Sequence, residues 1–437
     1  MTLQIIFTLL IMVLAYGVLK WKKYSVELSI LCAAIAGGIV GVFFGAPPPG
    51  QLFRHLVEGT FTYLDIILVF STATIFMSIL SESGCVDYVV KGTLKAFFNH
   101  RVIALIVLMF VILVPGALTG AGSVSVLVVG TPVVLALRYM GISEKRVAAI
   151  LFIVAGLSAA APPVNIWAMI LSAGTAIPYV GFEFTLGIPI LILGIFTVLF
   201  LGLKKEKEVN LEKALEEIPD PPEGMNWVRV ILPFLVFFGL IIISRVRPFS
   251  IPILGLPFEF VLAAITALLV SPRKINILVL SRDTVKRLLP LLATVTVVGV
   301  LQQIMTVTGV RGLLSFLVMS VPLVGILIIL PIIIPVSEGL LAFGGAAIVG
   351  IPLVWYFNSI GFHATVVIAA LSLMWPLGDG VPPTALIGRL TMLVADYKGT
   401  YWSFIKATWV PWIVITIAAM LMIIFSTDLS FLVQWSV

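Results

Sequence analysis

Apolar runs long enough to span a bilayer, separated by short polar stretches, fill nearly the whole chain. A spanning helix needs about 20 mostly apolar residues. That length predicts membrane helices at 3–19, 26–45 and 62–83, then a shorter apolar pair at 102–138 interrupted from Pro115 to Ser123. A long run at 146–178 holds Pro162-Pro163, and a helix at 183–203 follows. Residues 204–227 are the one sustained hydrophilic stretch, read as a short surface helix and a proline-rich linker. The series then recurs as 228–245, 252–271, 288–306, a broken pair at 321–358, a long run at 363–395 holding Pro382-Pro383, and 402–425.

The recurrence is a duplication. With a shift of 220 residues, 112–163 matches 332–383 without a gap at 13 of 52 positions. All four prolines of the first segment (Pro115, Pro132, Pro162, Pro163) fall on Pro335, Pro352, Pro382 and Pro383. Gly130 and Gly141 fall on Gly350 and Gly361. Apolar identities are cheap in such a chain; four aligned prolines are not.

The expected organisation is a first repeat at 1–203, a cytoplasmic loop at 204–227 and a second repeat at 228–437. If the pairs at 102–138 and 321–358 are re-entrant hairpins, each half crosses five times and the second half is inverted. With both termini outside, 22 of the 26 Lys and Arg then fall on the cytoplasmic side, leaving Arg54, Arg245, Arg247 and Arg311 outside. Two full crossings in place of either hairpin would spoil that asymmetry. The predicted fold is therefore an all-α polytopic membrane protein of two inverted repeats. It has about ten transmembrane helices, two re-entrant helical hairpins and two discontinuous helices.

Composition agrees. The 437 residues are 61% hydrophobic and 11% charged, with a mean hydropathy of +1.22, against roughly a quarter charged in a soluble domain. The net charge of +6 is scattered singly through short loops, so no nucleic-acid partner is expected. Cys32 and Cys85 form neither a disulfide framework nor a metal spacing. The first apolar run lacks a preceding basic cluster and a small-residue cleavage site, and reads as a retained helix. Gly37, Gly41 and Gly45 give GxxxG steps, expected to pack helices within the chain.

The chemistry belongs at the four interruptions, because non-helical backbone at membrane depth must line a cavity or be buried in protein. The first tip offers hydroxyls from Thr119, Ser123 and Ser125, with Gly120 and Gly122 exposing backbone oxygens. Hydroxyl and carbonyl oxygens suit a hard cation such as Na⁺. The second tip offers Ser337, Glu338, Gly339, Gly344 and Gly345. Glu338 is an acid within an apolar hairpin, where it must be paired, ligated or protonated. The first break carries Pro162, Pro163 and Asn165; the second carries Asp379, Gly380, Pro383 and Thr384. Proline frees carbonyls of the preceding turn, and the half-helices that follow aim their N-terminal dipoles at an anionic substrate. The expected ion ligands are Thr119, Gly120, Ser123, Ser125, Pro162, Ser337, Glu338, Gly339, Asp379 and Gly380. The expected substrate contacts are Gly122, Pro163, Asn165, Gly344, Gly345, Pro383 and Thr384. An ion pair of Asp379 with Arg389 is the structural alternative.

Several stretches resemble the large membrane subunits of TRAP (tripartite ATP-independent periplasmic) transporters. They are 70–97, with Ser81-Glu-Ser-Gly84 before an amphipathic arm; Leu118-Thr-Gly-Ala-Gly-Ser123 followed by Gly130-Thr-Pro132; Ala161-Pro-Pro163; Glu338; and Val381-Pro-Pro-Thr384. The chain departs from that pattern in Val164-Asn165 after the first proline pair, in alanines before it, and in the long 204–227 loop. The resemblance implies a Na⁺-driven elevator carrier of a small organic anion in the inner membrane. It also implies a small membrane subunit and a periplasmic substrate-binding protein as partners. Stand-alone H⁺- or Na⁺-coupled carboxylate carriers of the wider ion transporter superfamily share the architecture and stay open. An intramembrane enzyme is not expected, because His55, His100 and His363 form no cluster.

Overall fold

The computed structural model describes residues 2–247, 252 and 254–434. Met1, 248–251, 253 and 435–437 lie outside the described residues, and with them small parts of both expected halves and of the helix expected at 252–271. The described residues are helical throughout, without a strand, and ten helices are long and apolar enough to cross a membrane. A helix satisfies its own backbone groups in hydrocarbon, and this is the content of a multi-pass membrane protein.

The first half runs α1 (Thr2–Trp21), α2 (Val26–Phe43), α3 (Leu52–Phe61), α4 (Leu64–Glu82), α5 (Cys85–Phe97), α6 (Arg101–Thr119), α7 (Gly122–Tyr139), α8 (Glu144–Ala160), α9 (Ile166–Thr175) and α10 (Phe182–Gly202). The linker forms α11 (Leu211–Glu217). The second half runs α12 (Trp227–Val246), α13 (Gly255–Val270), α14 (Ile277–Val307), α15 (Val310–Met319), α16 (Leu323–Leu341), a π-helical turn Ala346–Gly350, α17 (Ile351–Ser359), α18 (Ala364–Gly378), α19 (Leu386–Val394) and α20 (Tyr401–Ile424). A short α21 (Phe431–Gln434) closes the described chain. Polar residues fix many starts: Ser25, Asn165, Asn210, Asn226, Asn276 and Thr400 each cap the helix after them with a side-chain oxygen.

Three features depart from the hydropathy reading. The helix expected at 62–83 is preceded by α3, an amphipathic helix too short and polar to register as a span. α14 begins at Ile277, well before the expected 288, because Ser281 to Arg287 is polar yet helical. Gly45 lies beyond the end of α2, with φ near +84°, so it is not part of a helix-packing stripe. Gly37 and Gly41 do pack within the chain, against Met12 and against Ala46 and Thr308.

The helices form two bodies. In the first, α14 packs along α2, α3 and α4, α1 lies on α2, and α13 joins α4 to α12. Gly59 and Gly299 bring α3 and α14 together: an added Cβ would meet backbone at 2.5 Å and 2.4 Å respectively. In the second body α8 is central, packed by α6, α7, α10, α18, α19 and α20. The short helices α5 and α15 bridge the bodies, α5 between α4 and the α6–α7 pair, α15 between α1 and α14 on one side and α17 on the other.

The linker is docked rather than loose. Ala214 and Ile218 are fully buried, Asn210 N–H donates to Tyr139 O, and Trp227 meets Tyr88 edge-on. Buried Lys91 of α5 donates to Asp220 at 2.6 Å, and that bond and charge hold the Asp220 carboxyl below its usual range.

Candidate functional site

The first tip is tighter than the sequence suggested. Pro115 stays inside α6, where its carbonyl accepts from the Thr119 hydroxyl at 2.7 Å. Only Gly120, at φ near +70°, and extended Ala121 separate α6 from α7. Ser123 and Ser125 therefore sit in the first turn of α7. The Ser125 hydroxyl donates to Ile112 O at 2.7 Å and lies 3.0 Å from the Ser158 hydroxyl, tying the tip to α8. Gly122 is pressed against α8 and α19: a Cβ there would stand 2.3 Å from Ala155 O and 2.5 Å from Ile387.

The second tip is shifted similarly. Ser337, Glu338 and Gly339 belong to the last turns of α16, and the chain reverses only at 342–345. Gly344 lies against Ile30 and Val298 of the first body, and Gly345 against Ser337. Both hairpins are thus helical nearly to their ends, because a proline near a helix end leaves few backbone groups unmatched.

The breaks fall where the proline pairs predicted, at 161–165 and 379–385. Both proline pairs are joined by cis bonds. Each break is fastened to a hairpin: Val164 N–H donates to Ala117 O at 3.0 Å, and Thr384 N–H to Gly339 O at 3.1 Å. Positions 164 and 384 are 220 apart, the duplication's shift. The second half-helices cross over. α9 packs on the second hairpin, through the π-helical turn and α17, while α19 packs on α7 of the first. Trp167 of α9 donates its indole N–H to Glu338 Oε2 at 2.9 Å and lies 5.4 Å from the Phe343 ring.

These elements enclose a cavity of about 840 Å³ between the two bodies. One wall is α2, α4 and the first half of α14; the other is both tips, the second break and α19. Buried Glu338 and Trp167 line it, as do exposed Lys274, Arg287 and Arg389. Lys20, Glu27, Glu82 and Asp283 line it too, so it runs from a buried interior to a mouth that carries both signs of charge.

Of the anticipated residues, Gly120, Gly122, Ser123, Glu338, Asp379, Pro383 and Thr384 line this cavity. The others frame it. The Thr119, Ser125 and Ser337 hydroxyls are engaged with backbone carbonyls. The Gly339 carbonyl accepts from Thr384, the Pro163 carbonyl from Tyr179, and the Gly380 carbonyl from Tyr401. Asn165 caps α9 and donates to Ala160 O, so the α9 N-terminus is occupied, and Pro162 packs toward α10 beside Gly187. Gly344 and Gly345 are buried behind the tip. Of the two half-helices that follow the breaks, α19 brings the first residues of its N-terminus to the cavity, through Thr384, Leu386 and Ile387.

Asp379 and Arg389 both line the cavity without pairing. Arg389 donates to the Pro383 carbonyl at 2.9 Å, and among the described residues nothing donates to the Asp379 carboxylate. Asp379 and Glu338 lie within electrostatic reach of one another. Glu338, Asp379 and the Ser123 hydroxyl give the interior hard oxygen donors suited to an alkali cation or a proton, and Arg389 is a cation at the same cavity that an anion could meet.

Sequence reasoning passed over Trp167, Phe343, Arg287 and the α14 wall. One signal was available for Trp167: a tryptophan N–H in an apolar segment needs an acceptor, and Glu338 is an acid in need of a donor. No family model matches this chain, and no curated protein is detectably similar to it in sequence.

Proposed function

We propose that this protein is a secondary active transporter that couples Na⁺ to the uptake of a small organic anion by an elevator motion. It works as a TRAP-type large membrane subunit or as a stand-alone carrier of the same superfamily. The observation that carries this reading is the convergence of both hairpin tips and the second break on one cavity between two helical bodies.

The crossed packing of α9 and α19 supports an inverted duplication, in which the pairs α6–α7 and α16–α17 are re-entrant from opposite sides. With both termini outside the inner membrane, the mouth, where Lys274, Arg287 and Arg389 stand, faces the cytoplasm and the arrangement is inward-open. Na⁺ is held by Glu338, Asp379 and Ser123, and the anion lies toward Arg389 and the α19 N-terminus. The body containing α6 to α10 and α16 to α20 moves against the other. The exposed faces of α1 and α12 meet lipid or a small membrane subunit, and a periplasmic binding protein delivers the anion.

The test is the protein alone in liposomes, its thermal stability titrated with Na⁺ against K⁺ and pH controls, and repeated with Asp379→Asn. Na⁺-specific stabilisation that disappears in the variant is expected, together with loss of ion-driven uptake. Stabilisation that follows pH instead would make the coupling ion a proton, a reading the adjacency of Glu338 and Asp379 favours. Absence of any ion dependence would remove the mechanism.

A further inference from the structure

Among the described residues, Trp167 is the one side chain that donates to Glu338. Its Nε1–H meets Oε2 at 2.9 Å, and each residue is about 1% exposed. The two come from opposite halves of the chain, Trp167 as the second residue of the half-helix after the first break and Glu338 in the last turn of α16. The indole has little freedom. Phe343 lies at 5.4 Å with the ring planes 53° apart, and the α9 backbone is set by the Asn165 cap, whose side chain accepts from Ala168 N–H at 3.0 Å. Glu338 has equally little: Gly378 abuts its Cβ, and among the described residues no cation pairs with it.

A buried carboxylate with one oxygen committed to a fixed donor presents the other in a single direction. Charge-assisted bonds are the short, directional ones. With Oε2 bound to the indole, Oε1 is the oxygen left for the cavity that Glu338 and Asp379 both line. Neither residue's repeat partner could do this, since 387 is isoleucine and 118 is leucine. The device is present once, on the side of the cavity that carries both acids.

We propose that Trp167 is the positioning residue of the ion site: its indole N–H orients the Glu338 carboxylate toward the coupling cation and so sets ion affinity, while leaving anion binding to other groups. This rests on the Na⁺-coupled reading above. It assigns a role across the two halves, from a residue outside every anticipated ligand set.

Trp167→Phe keeps the ring against Phe343 and removes the donor. The Na⁺ concentration for half-maximal stabilisation and for half-maximal uptake should rise about tenfold, as expected for losing one hydrogen bond to a charged group. Stability in K⁺ should change little, and the anion concentration for half-maximal uptake at saturating Na⁺ should stay within about twofold. Adding Trp167→Phe to Glu338→Gln should produce no further loss of Na⁺ response, because one residue acts through the other. A lower baseline in K⁺ with the same Na⁺ response would overturn the proposal and make Trp167 a packing residue. So would equal weakening of Na⁺ and anion. Trp167→Leu, which also lacks a donor, is read in the same way if the Phe variant does not fold. If the unaltered protein shows no Na⁺ response, the Na⁺-coupled reading itself fails. If it responds and Trp167→Phe responds identically, only the role of Trp167 fails.

Discussion

Thr384 donates twice to the Gly339 carbonyl, from its backbone N–H at 3.1 Å and from its hydroxyl at 3.0 Å. The second break is thereby bolted to the last turn of α16, beside Glu338. The first half has the same backbone bond, from Val164 N–H to Ala117 O, but valine carries no hydroxyl to double it. The junction that holds both cavity acids is thus the more firmly tied of the two. Thr384→Val should cost about 1 kcal/mol of stability, the worth of one hydrogen bond, and Thr384→Ser should restore most of it. Thermal unfolding of the purified variants decides this; equal stability of all three would mean that the hydroxyl contributes nothing.

Gly122 lies where the first tip, α8 and α19 meet, and a Cβ would stand 2.3 Å from the Ala155 carbonyl. Backbone cannot yield as a flexible side chain does, so Gly122→Ala should destabilise by about 1–3 kcal/mol and lower uptake. Gly17→Ala in α1 has nothing within 4 Å of the added atom. It should be neutral or slightly stabilising, since alanine favours helix by about 1 kcal/mol. Unfolding curves of the pair measured side by side test the contrast.

The linker is anchored by Lys91, whose side chain is 8% exposed, through Asp220, which is 92% exposed. Lys91→Met should expose 204–227 to limited proteolysis while leaving the helices intact. The anchor's pH dependence follows from the lowered Asp220 carboxyl. A group whose folded pKa is depressed stabilises above its unfolded pKa, near 3.9, and that contribution is lost as pH falls through the lower folded value. Cleavage of the linker should therefore stay constant from neutral pH down to about 4 and rise only in stronger acid. A rise already near pH 6 would contradict the assignment.

Among the described residues, an ion pair spans the two bodies, between Arg245 at the end of α12 and Glu183 at the start of α10. Its side chains are 47% and 33% exposed, and such a pair contributes at most about 1 kcal/mol. If it clamps the inward-open arrangement, Arg245→Glu should reduce that population by up to about fivefold. The reversed pair, Glu183→Arg with Arg245→Glu, should bring it back. Labelling of Leu280→Cys on the α14 cavity wall, from the cytoplasmic side and with Cys32 and Cys85 replaced, reads the population. Labelling unaffected by the charge reversal would show that the pair does not oppose the motion.

The spans and the interruptions were decided locally, by runs of apolar residues and by proline pairs, and so were legible in the chain. The aligned prolines and glycines of 112–163 and 332–383 were legible for the same reason, since proline and glycine act through their own backbones wherever they stand. The breaks at 161–165 and 379–385 came out as read, whereas the hairpin tips moved toward their ends. Pro115 and Pro335 are accommodated inside α6 and α16 rather than ending them. Thr119 and Ser337 looked like ligands but return their hydroxyls to carbonyls of their own helices, a local option open to any serine or threonine.

By itself the sequence determined that this chain has helices apolar and long enough to cross a membrane many times, and where those helices break. Only the tertiary structure decided which side chains face the cavity, that two bodies share its walls, that Trp167 reaches Glu338 from the opposite half, and that Arg389 leaves Asp379 unpaired. The reason lies in the solvent. A helix among lipid and other helices is apolar all round, so no polar stripe marks the face it turns to a neighbour. Direction enters only through packing, where small residues admit a backbone and a lone N–H finds its acid.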